Sequence, residues 1–314
     1  MNWGLIGYGV ITPEFAESLV QVEGQNLYAI ASRSNAESII ENHPEAIVYS
    51  DYQDLYQDAN IDIVYIGTPH NFHFDSVIQC LENGKHVLCE KPIGISVKET
   101  QEMITCARKN KKFLMEGMWT RYLPAYRFMK ESVEAGKIGE VRLVRGDFSV
   151  YFERDDKHRM WNPNLAGGSL LDLGVYPVGL VNDIFGEPPM EIAAFGNVVA
   201  TGVDESICAQ FKYANGRCAQ IYCGLSTLTQ WEGTVYGTKG WIEVERFFQG
   251  QKVKYNFDGE IKNLSLPYTS TGFYHEIIGA VESIQKGLLE AELFTHDDSM
   301  ASAILVERIF NEIK

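Results

Sequence analysis

Four short stretches of this chain carry residue types with chemical uses at a spacing that would let them work. The first is Gly7-Tyr8-Gly9-Val10-Ile11-Thr12, which follows the apolar run Trp3–Ile6 and leads into a helix-period segment from Pro13. Gly7 allows a tight turn there, and Gly9 lets backbone N–H groups approach a pyrophosphate at the helix N-terminus. Val10 and Ile11 complete the turn, and Thr12 stands where the motif prefers a third glycine or alanine. The second stretch, Ser32-Arg33-Ser34, closes the apolar run Leu27–Ala31. A carboxylate at that point would hold a ribose 2′-hydroxyl, whereas two hydroxyls and a guanidinium suit a 2′-phosphate. NADP is therefore the expected cofactor, with NAD the alternative. The third is Glu90-Lys91-Pro92, after the run His86–Leu88. A lysine at a strand's carboxyl end offers a donor and a positive charge to an oxygen on which negative charge develops. The fourth pairs Asp172 with Tyr176, four apart and so on one face of a helix. No metal is expected: His70 and His73 are three apart, but no cysteine or carboxylate follows them at ligand spacing.

These residues need elements to hold them. Up to about residue 115, short apolar runs alternate with helix-period segments. The runs are Trp3–Ile6, Leu27–Ala31, Ala46–Tyr49, Asp62–Ile66, His86–Leu88 and Lys112–Met115; the helices are Pro13–Val20, Asn35–Asn42, Tyr52–Asp58, Phe74–Glu82 and Val97–Lys109. That rhythm predicts an α/β fold with a doubly wound parallel sheet of the Rossmann type, ligands lying outside the strands' carboxyl ends. The pattern then changes to a helix at Pro124–Ala135, a long strand at Val141–Tyr151 and a helix at Gly167–Phe185. Strands follow at Glu191–Val199, Ser206–Tyr213, Arg217–Cys223, Gly233–Tyr236, Trp241–Val244 and Val253–Phe257, with Asn215-Gly216 as a hairpin turn. Two helices, Gly272–Lys286 and Ser299–Ile313, close the chain. The expectation is a dinucleotide-binding domain over 1–120 and an α+β domain with a mostly antiparallel open sheet over 121–314, its last amphipathic helix free to pack back on the first domain.

Composition excludes several classes. At 314 residues the chain is long enough for about two domains. Its 45% hydrophobic and 22% charged content is that of a globular protein, and a net charge of −15 leaves nothing to displace phosphate counterions, so no nucleic-acid partner is expected. No apolar run approaches membrane-spanning length, the amino terminus does not read as a signal peptide, and the six cysteines form no framework. A cytoplasmic location follows as the expectation.

Longer stretches carry a resemblance. Tyr65-Ile66-Gly67-Thr68-Pro69-His70-Asn71-Phe72-His73 and Gly84-Lys85-His86-Val87-Leu88-Cys89-Glu90-Lys91-Pro92 resemble the glucose–fructose oxidoreductase/inositol dehydrogenase (Gfo/Idh/MocA) family over nearly the whole chain. Met115-Glu116-Gly117-Met118-Trp119-Thr120-Arg121 and Gly167-Gly168-Ser169-Leu170-Leu171-Asp172-Leu173-Gly174-Val175-Tyr176 are similar to the branch holding dihydrodiol and D-xylose dehydrogenases. The resemblance implies a dehydrogenase of a sugar, polyol or trans-diol. It places Thr68, Pro69, His73, Glu90 and Lys91 at the cofactor, with Lys91 also beside the substrate. A tyrosine normally titrates near 10; a neighbouring Lys91 and a cationic nicotinamide would lower that value. Tyr176 is then expected to trade the proton, Lys91 to polarise the oxygen and Asp172 to orient the group, although which of Lys91 and Tyr176 is the acid/base stays open. Trp119, Arg121, Phe148 and Trp161 are candidates for the substrate wall or for ordinary packing. The helix opening at Gly272-Phe273-Tyr274-His275-Glu276 is expected to add a further side chain. Two alternatives share this scaffold: a non-enzymatic dinucleotide-binding regulator, and a glycoside-processing enzyme using the dinucleotide transiently. A homodimer through the second sheet's open face is the expected assembly.

Overall fold

The computed structural model describes residues 1–313. The chain divides into two compact units, Met1–Trp119 with Thr269–Ser299, and Thr120–Tyr268 with the chain from Met300 onward. In the first, the elements run β1 (Asn2–Ile6), α1 (Ile11–Leu19), β2 (Asn26–Ala31), α2 (Ala36–Asn42), β3 (Ile47–Tyr49), α3 (Tyr52–Gln57), β4 (Ile63–Ile66), α4 (His73–Glu82), β5 (His86–Glu90), α5 (Val97–Asn110) and β6 (Leu114–Gly117). The six strands are parallel in the order β3-β2-β1-β4-β5-β6, so the order reverses between β1 and β4. Every residue of β4 is buried, which is why this strand reads as an unbroken apolar run and not as an alternation. Local chemistry sets several ends. Asp51 accepts the Gln53 amide at the start of α3, and Ser96 accepts the Glu99 amide at the start of α5, each supplying a partner that the helix itself cannot.

In the second unit α6 (Pro124–Glu134) leads to β7 (Val141–Ser149), then α7 (Val175–Phe185), and the strands β8 (Glu191–Val198), β9 (Asp204–Lys212), β10 (Cys218–Gly224), β11 (Gly233–Gly237), β12 (Gly240–Glu245), β13 (Lys252–Phe257) and β14 (Glu260–Ser265) follow. They form one eight-stranded sheet, β14-β13-β12-β11-β7-β10-β9-β8, antiparallel except between β7 and β10. The fold class predicted from the sequence holds. Asn215 and Gly216 both have positive φ, as a two-residue hairpin turn requires. The same signal stands at Asp258 and Gly259 and produces β14, a strand absent from the sequence reading. Its residues are almost all exposed, so it has no apolar alternation to find. The expected helix over 167–185 is also refined: residues 170–174 make a wider, π-type turn before α7 begins.

One face of this sheet is covered by α7, where a side chain added at Gly146 would meet Pro177. The chain ends in α8 (Phe273–Gln285) and α9 (His296–Ile313). Helix α8 belongs to the first unit. Phe273 meets Phe15 at 5.7 Å, Phe15 stacks on Tyr65 at 3.7 Å, and Thr271 bonds both Ser18 and the Glu14 carbonyl on α1. Among the described residues no helix is long and apolar enough to cross a membrane.

Candidate active site

In the first unit the parallel sheet brings four of the singled-out segments to one edge, the carboxyl ends of β1, β2, β4 and β5. Gly7 lies at φ +83°, a conformation only glycine adopts freely, and a Cβ there would crowd Thr68 and the Gly67 carbonyl. Around Gly9 an added Cβ would meet nothing within 4 Å, and Val10 is 89% exposed, so the backbone before α1 is open to a ligand. Asn35 ties the second segment to this turn by donating to the Tyr8 carbonyl. Ser32 is buried and accepts the Ser34 amide, whereas Arg33 is exposed. The Arg33 guanidinium rests 5.4 Å from the ring centre of Tyr52 and 5.0 Å from that of Phe72, a cation–π clamp that limits where it points. Neither aromatic was singled out in the sequence. The hydroxyls of Thr12 and Thr68 are buried with no hydrogen-bond partner among the described residues. An open glycine backbone, a helix N-terminus, unspent hydroxyls and a held guanidinium fit a dinucleotide phosphate.

The lysine turn beside them is tied at four consecutive residues. Tyr65 donates to Glu90 Oε1 at 2.9 Å, and Glu90 Oε2 accepts the Lys91 amide at 3.2 Å. The Pro92 carbonyl meets His73 Nδ1 at 2.8 Å, and the Ile93 amide donates to Glu116 Oε1 at 3.2 Å. The Lys91–Pro92 peptide is cis. His73 is fully buried, its Nε2 against the Thr68 carbonyl at 2.9 Å, so it joins the β4 and β5 loops. Burial pushes its pKa down to about 4, against the two carbonyls that favour the charged ring. Pro69 opens the short turn that precedes α4. Trp119 is stacked on Phe273 of α8 at 4.7 Å.

In the second unit Asp172 lies in the π-type turn and is 5% exposed; Arg159 donates to its Oδ2 at 3.0 Å. Local helix widening of this kind recurs at working sites because it re-aims side chains. Tyr176, one turn on, is 8% exposed and meets Phe148 at 5.5 Å and Phe248 at 5.4 Å, while Trp231 flanks both phenylalanines. Tyr176 and Phe148 are thus brought together, and Arg159, Trp231 and Phe248 are additions that sequence reading missed. Trp161 is buried in a short turn that also holds Arg159. The Arg121 guanidinium, just before α6, pairs with Asp183 of α7, which also accepts from Tyr126 and pairs with Lys130 on α6.

A further residue sets the position of the Asp172 turn. Asp204 Oδ2 accepts Ser169 Oγ at 2.8 Å and the Leu170 amide at 2.7 Å, and burial raises its pKa to about 6. Gly168 lies at φ +136°, where a Cβ would collide with the Asp204 carboxylate. Gly168 therefore makes room for the carboxylate that fixes the turn, whereas Gly167 makes room for the Arg159 and Met160 carbonyls.

The comparisons with known proteins agree along the whole chain. Residues 1–118 match a family model described as an oxidoreductase family with an NAD-binding Rossmann fold, and residues 126–243 match a GFO/IDH/MocA C-terminal domain. A trans-1,2-dihydrobenzene-1,2-diol dehydrogenase from Xenopus tropicalis is 31% identical over 325 residues, covering 99% of this chain and 98% of that one. Among solved structures, an aldose–aldose oxidoreductase from Caulobacter crescentus is 26% identical with a TM-score of 0.87, covering 99% of this chain and 97% of that one. A 3-ketoreductase from Actinomadura kijaniata, 23% identical with a TM-score of 0.88 over 100% and 98% of the two chains, shares the fold.

Proposed function

The chain belongs to the GFO/IDH/MocA oxidoreductase family, and from that premise we propose that it is an NADP-dependent dehydrogenase of a CH–OH group on a trans-diol, polyol or sugar. The observation that carries this reading is the shared edge of the first sheet, where the glycine turn, the Ser32–Ser34 segment, the Thr68 loop and Lys91 all end. The dinucleotide would be held by Gly7, Gly9, Val10 and Ile11 at its pyrophosphate, and by Ser32, Arg33 and Ser34 at the adenosine 2′-phosphate. Thr68, Pro69, Glu90 and Lys91 would line its nicotinamide end, with His73 holding their loops. The nicotinamide, when bound, would supply hydride transfer for oxidation of the CH–OH group. Lys91 polarises the reacting oxygen, Tyr176 exchanges its proton, and Asp172, steadied by Arg159, orients the group. Trp119, Phe148 and Trp161 would supply aromatic surface for the C–H side of a ring, and Arg121 is a further substrate-binding candidate.

Purified protein is expected to reduce NADP in the presence of trans-dihydrodiols or aldoses, followed at 340 nm. Arg33→Ala is expected to weaken NADP about 10–100-fold in calorimetry while NAD binding stays nearly unchanged, since only the 2′-phosphate loses its charge-assisted partner. Equal weakening of both dinucleotides would remove the 2′-phosphate assignment, and no dinucleotide binding would remove the function itself.

A homodimer through the second sheet fits its uncovered face. Across β8, β9, β10 and β7 that face carries Phe195, Cys208, Tyr222 and Asp147 in register, with Phe195 80% exposed. Light scattering should give a mass of two chains, and Phe195→Arg should shift it toward one. A concentration-independent single-chain mass for the unaltered protein would reject the dimer.

A further inference from the structure

One side chain of the glycine turn has no part in the mechanism above. Tyr8 stands between two glycines, yet it is buried, and both of its ends are tied to residues that flank α2. Its carbonyl accepts the Asn35 amide at 3.0 Å, just before the helix. Its hydroxyl lies 3.0 Å from Nε2 of His43, just after the helix, and the two rings meet edge-on at 5.8 Å. Either tautomer of the imidazole can make that bond, since a hydroxyl both donates and accepts. Helix α2 needs such support. It is seven residues long with Ile39 alone buried, and a helix so short has little stability of its own in water. Asn35 also departs from its usual work. At φ +67° it occupies the N-cap position, where asparagine ordinarily bonds its own helix. It makes no such bond and spends its amide on Tyr8 instead.

The segment Ser32–Ser34 lies between β2 and this tethered helix. At its start the Ser32 amide donates to the Tyr49 carbonyl at 3.0 Å, so that end is fixed on the sheet; its other end is fixed on the glycine turn through Asn35. Building on the dehydrogenase reading, we propose that Tyr8 is a positioning residue for the adenosine end of the cofactor: with Asn35 and His43 it braces α2 against the glycine turn, holds Ser32–Ser34 at the distance from the pyrophosphate that a 2′-phosphate needs, and so favours NADP over NAD. NAD has no group in that segment's charge-assisted grip, so it loses little when the brace is cut.

The test cuts the brace at the hydroxyl and keeps the ring. In Tyr8→Phe without any ligand, hydrogen exchange of the α2 amides should quicken about fivefold or more, with the strands of the parallel sheet unchanged. In calorimetry Tyr8→Phe should weaken NADP about 5–20-fold, the worth of one net hydrogen bond or slightly more, and NAD by no more than about twofold. His43→Leu should do the same, and His43→Gln, whose amide can still meet the hydroxyl, should recover most of the loss. Because the two side chains act through one bond, Tyr8→Phe with His43→Leu should weaken NADP no more than either alone. Unchanged exchange in α2, equal weakening of NADP and NAD, or additive losses in the double variant overturns the proposal. An unaltered protein that prefers NAD overturns it as well. Dinucleotide binding without turnover of any diol, polyol or sugar would remove the dehydrogenase reading and leave the brace standing. Equal weakening of both dinucleotides beside normal NADP turnover by the unaltered protein would do the reverse.

Discussion

Tyr176→Phe is expected to lower kcat by about 10²–10⁴-fold, the range over which a positioned proton carrier acts. The substitution removes one oxygen and keeps the ring, so the contacts with Phe148 at 5.5 Å and Phe248 at 5.4 Å survive. Those contacts define where the phenol stands: it is 8% exposed, walled by aromatics, on the helix that follows the Asp172 turn. KM should change little, because a residue that moves a proton in the transition state contributes little to ground-state binding. The sharper readout is the pH profile. If the phenol carries the proton, the ionisation limb of kcat that the unaltered enzyme shows should disappear in Tyr176→Phe. Retention of near-full turnover would remove the proton-transfer role and leave Tyr176 as part of the aromatic wall. Arg159→Ala offers a milder comparison: it removes one partner of Asp172 while leaving Tyr176 in place. Since the Arg159 side chain is about half exposed, its loss should cost far less than that of the phenol.

How much of this arrangement could be read beforehand depended on whether its cause was local. The glycine turn, the hairpin at Asn215-Gly216 and the parallel strands were legible because each is written in adjacent residues, as a backbone need or as an unbroken apolar run. The partners that hold the site in place were not. Asp204 reaches Ser169 from 35 residues away, and Tyr65 reaches Glu90 from 25, with nothing near either residue to announce the other. Trp231 and Phe248 join Phe148 and Tyr176 because β7 and β11 are neighbours and the turn after β12 folds over them, a matter of sheet order. The clamp on Arg33 has the same origin: Tyr52 begins α3 and Phe72 follows β4, so neither is near the guanidinium along the chain. Edge strand β14 escaped for a different reason. An exposed strand has no buried face to impose alternation, and only its turn, Asp258-Gly259, marks it. Chemical groups were thus easier to find than the residues that aim them.

That distinction decides what replacing Lys91 should do. Lys91→Met keeps most of the side chain's length and removes its donor, and kcat is expected to fall by about 10²–10³-fold, the loss seen when one donor to a developing oxyanion is deleted. The backbone should hold. The turn is fixed by Tyr65 through Glu90, by His73 at Pro92 and by Glu116 at Ile93, none of which uses the lysine side chain. NADP affinity is therefore expected to change by no more than a few-fold, and the Tm to remain near that of the unaltered protein. Lys91→Arg should recover only part of the rate, because a planar guanidinium carries charge but cannot occupy the same point as an ammonium. The pH profile then separates the two candidates for proton carrier. Loss of the limb in Tyr176→Phe with its persistence in Lys91→Met assigns the proton to the phenol and the polarising charge to the lysine; the opposite pattern exchanges the roles. A Lys91→Met enzyme that turns over at nearly the original rate would show that the lysine turn serves the cofactor alone, and the chemical step would have to rest on the second unit's residues.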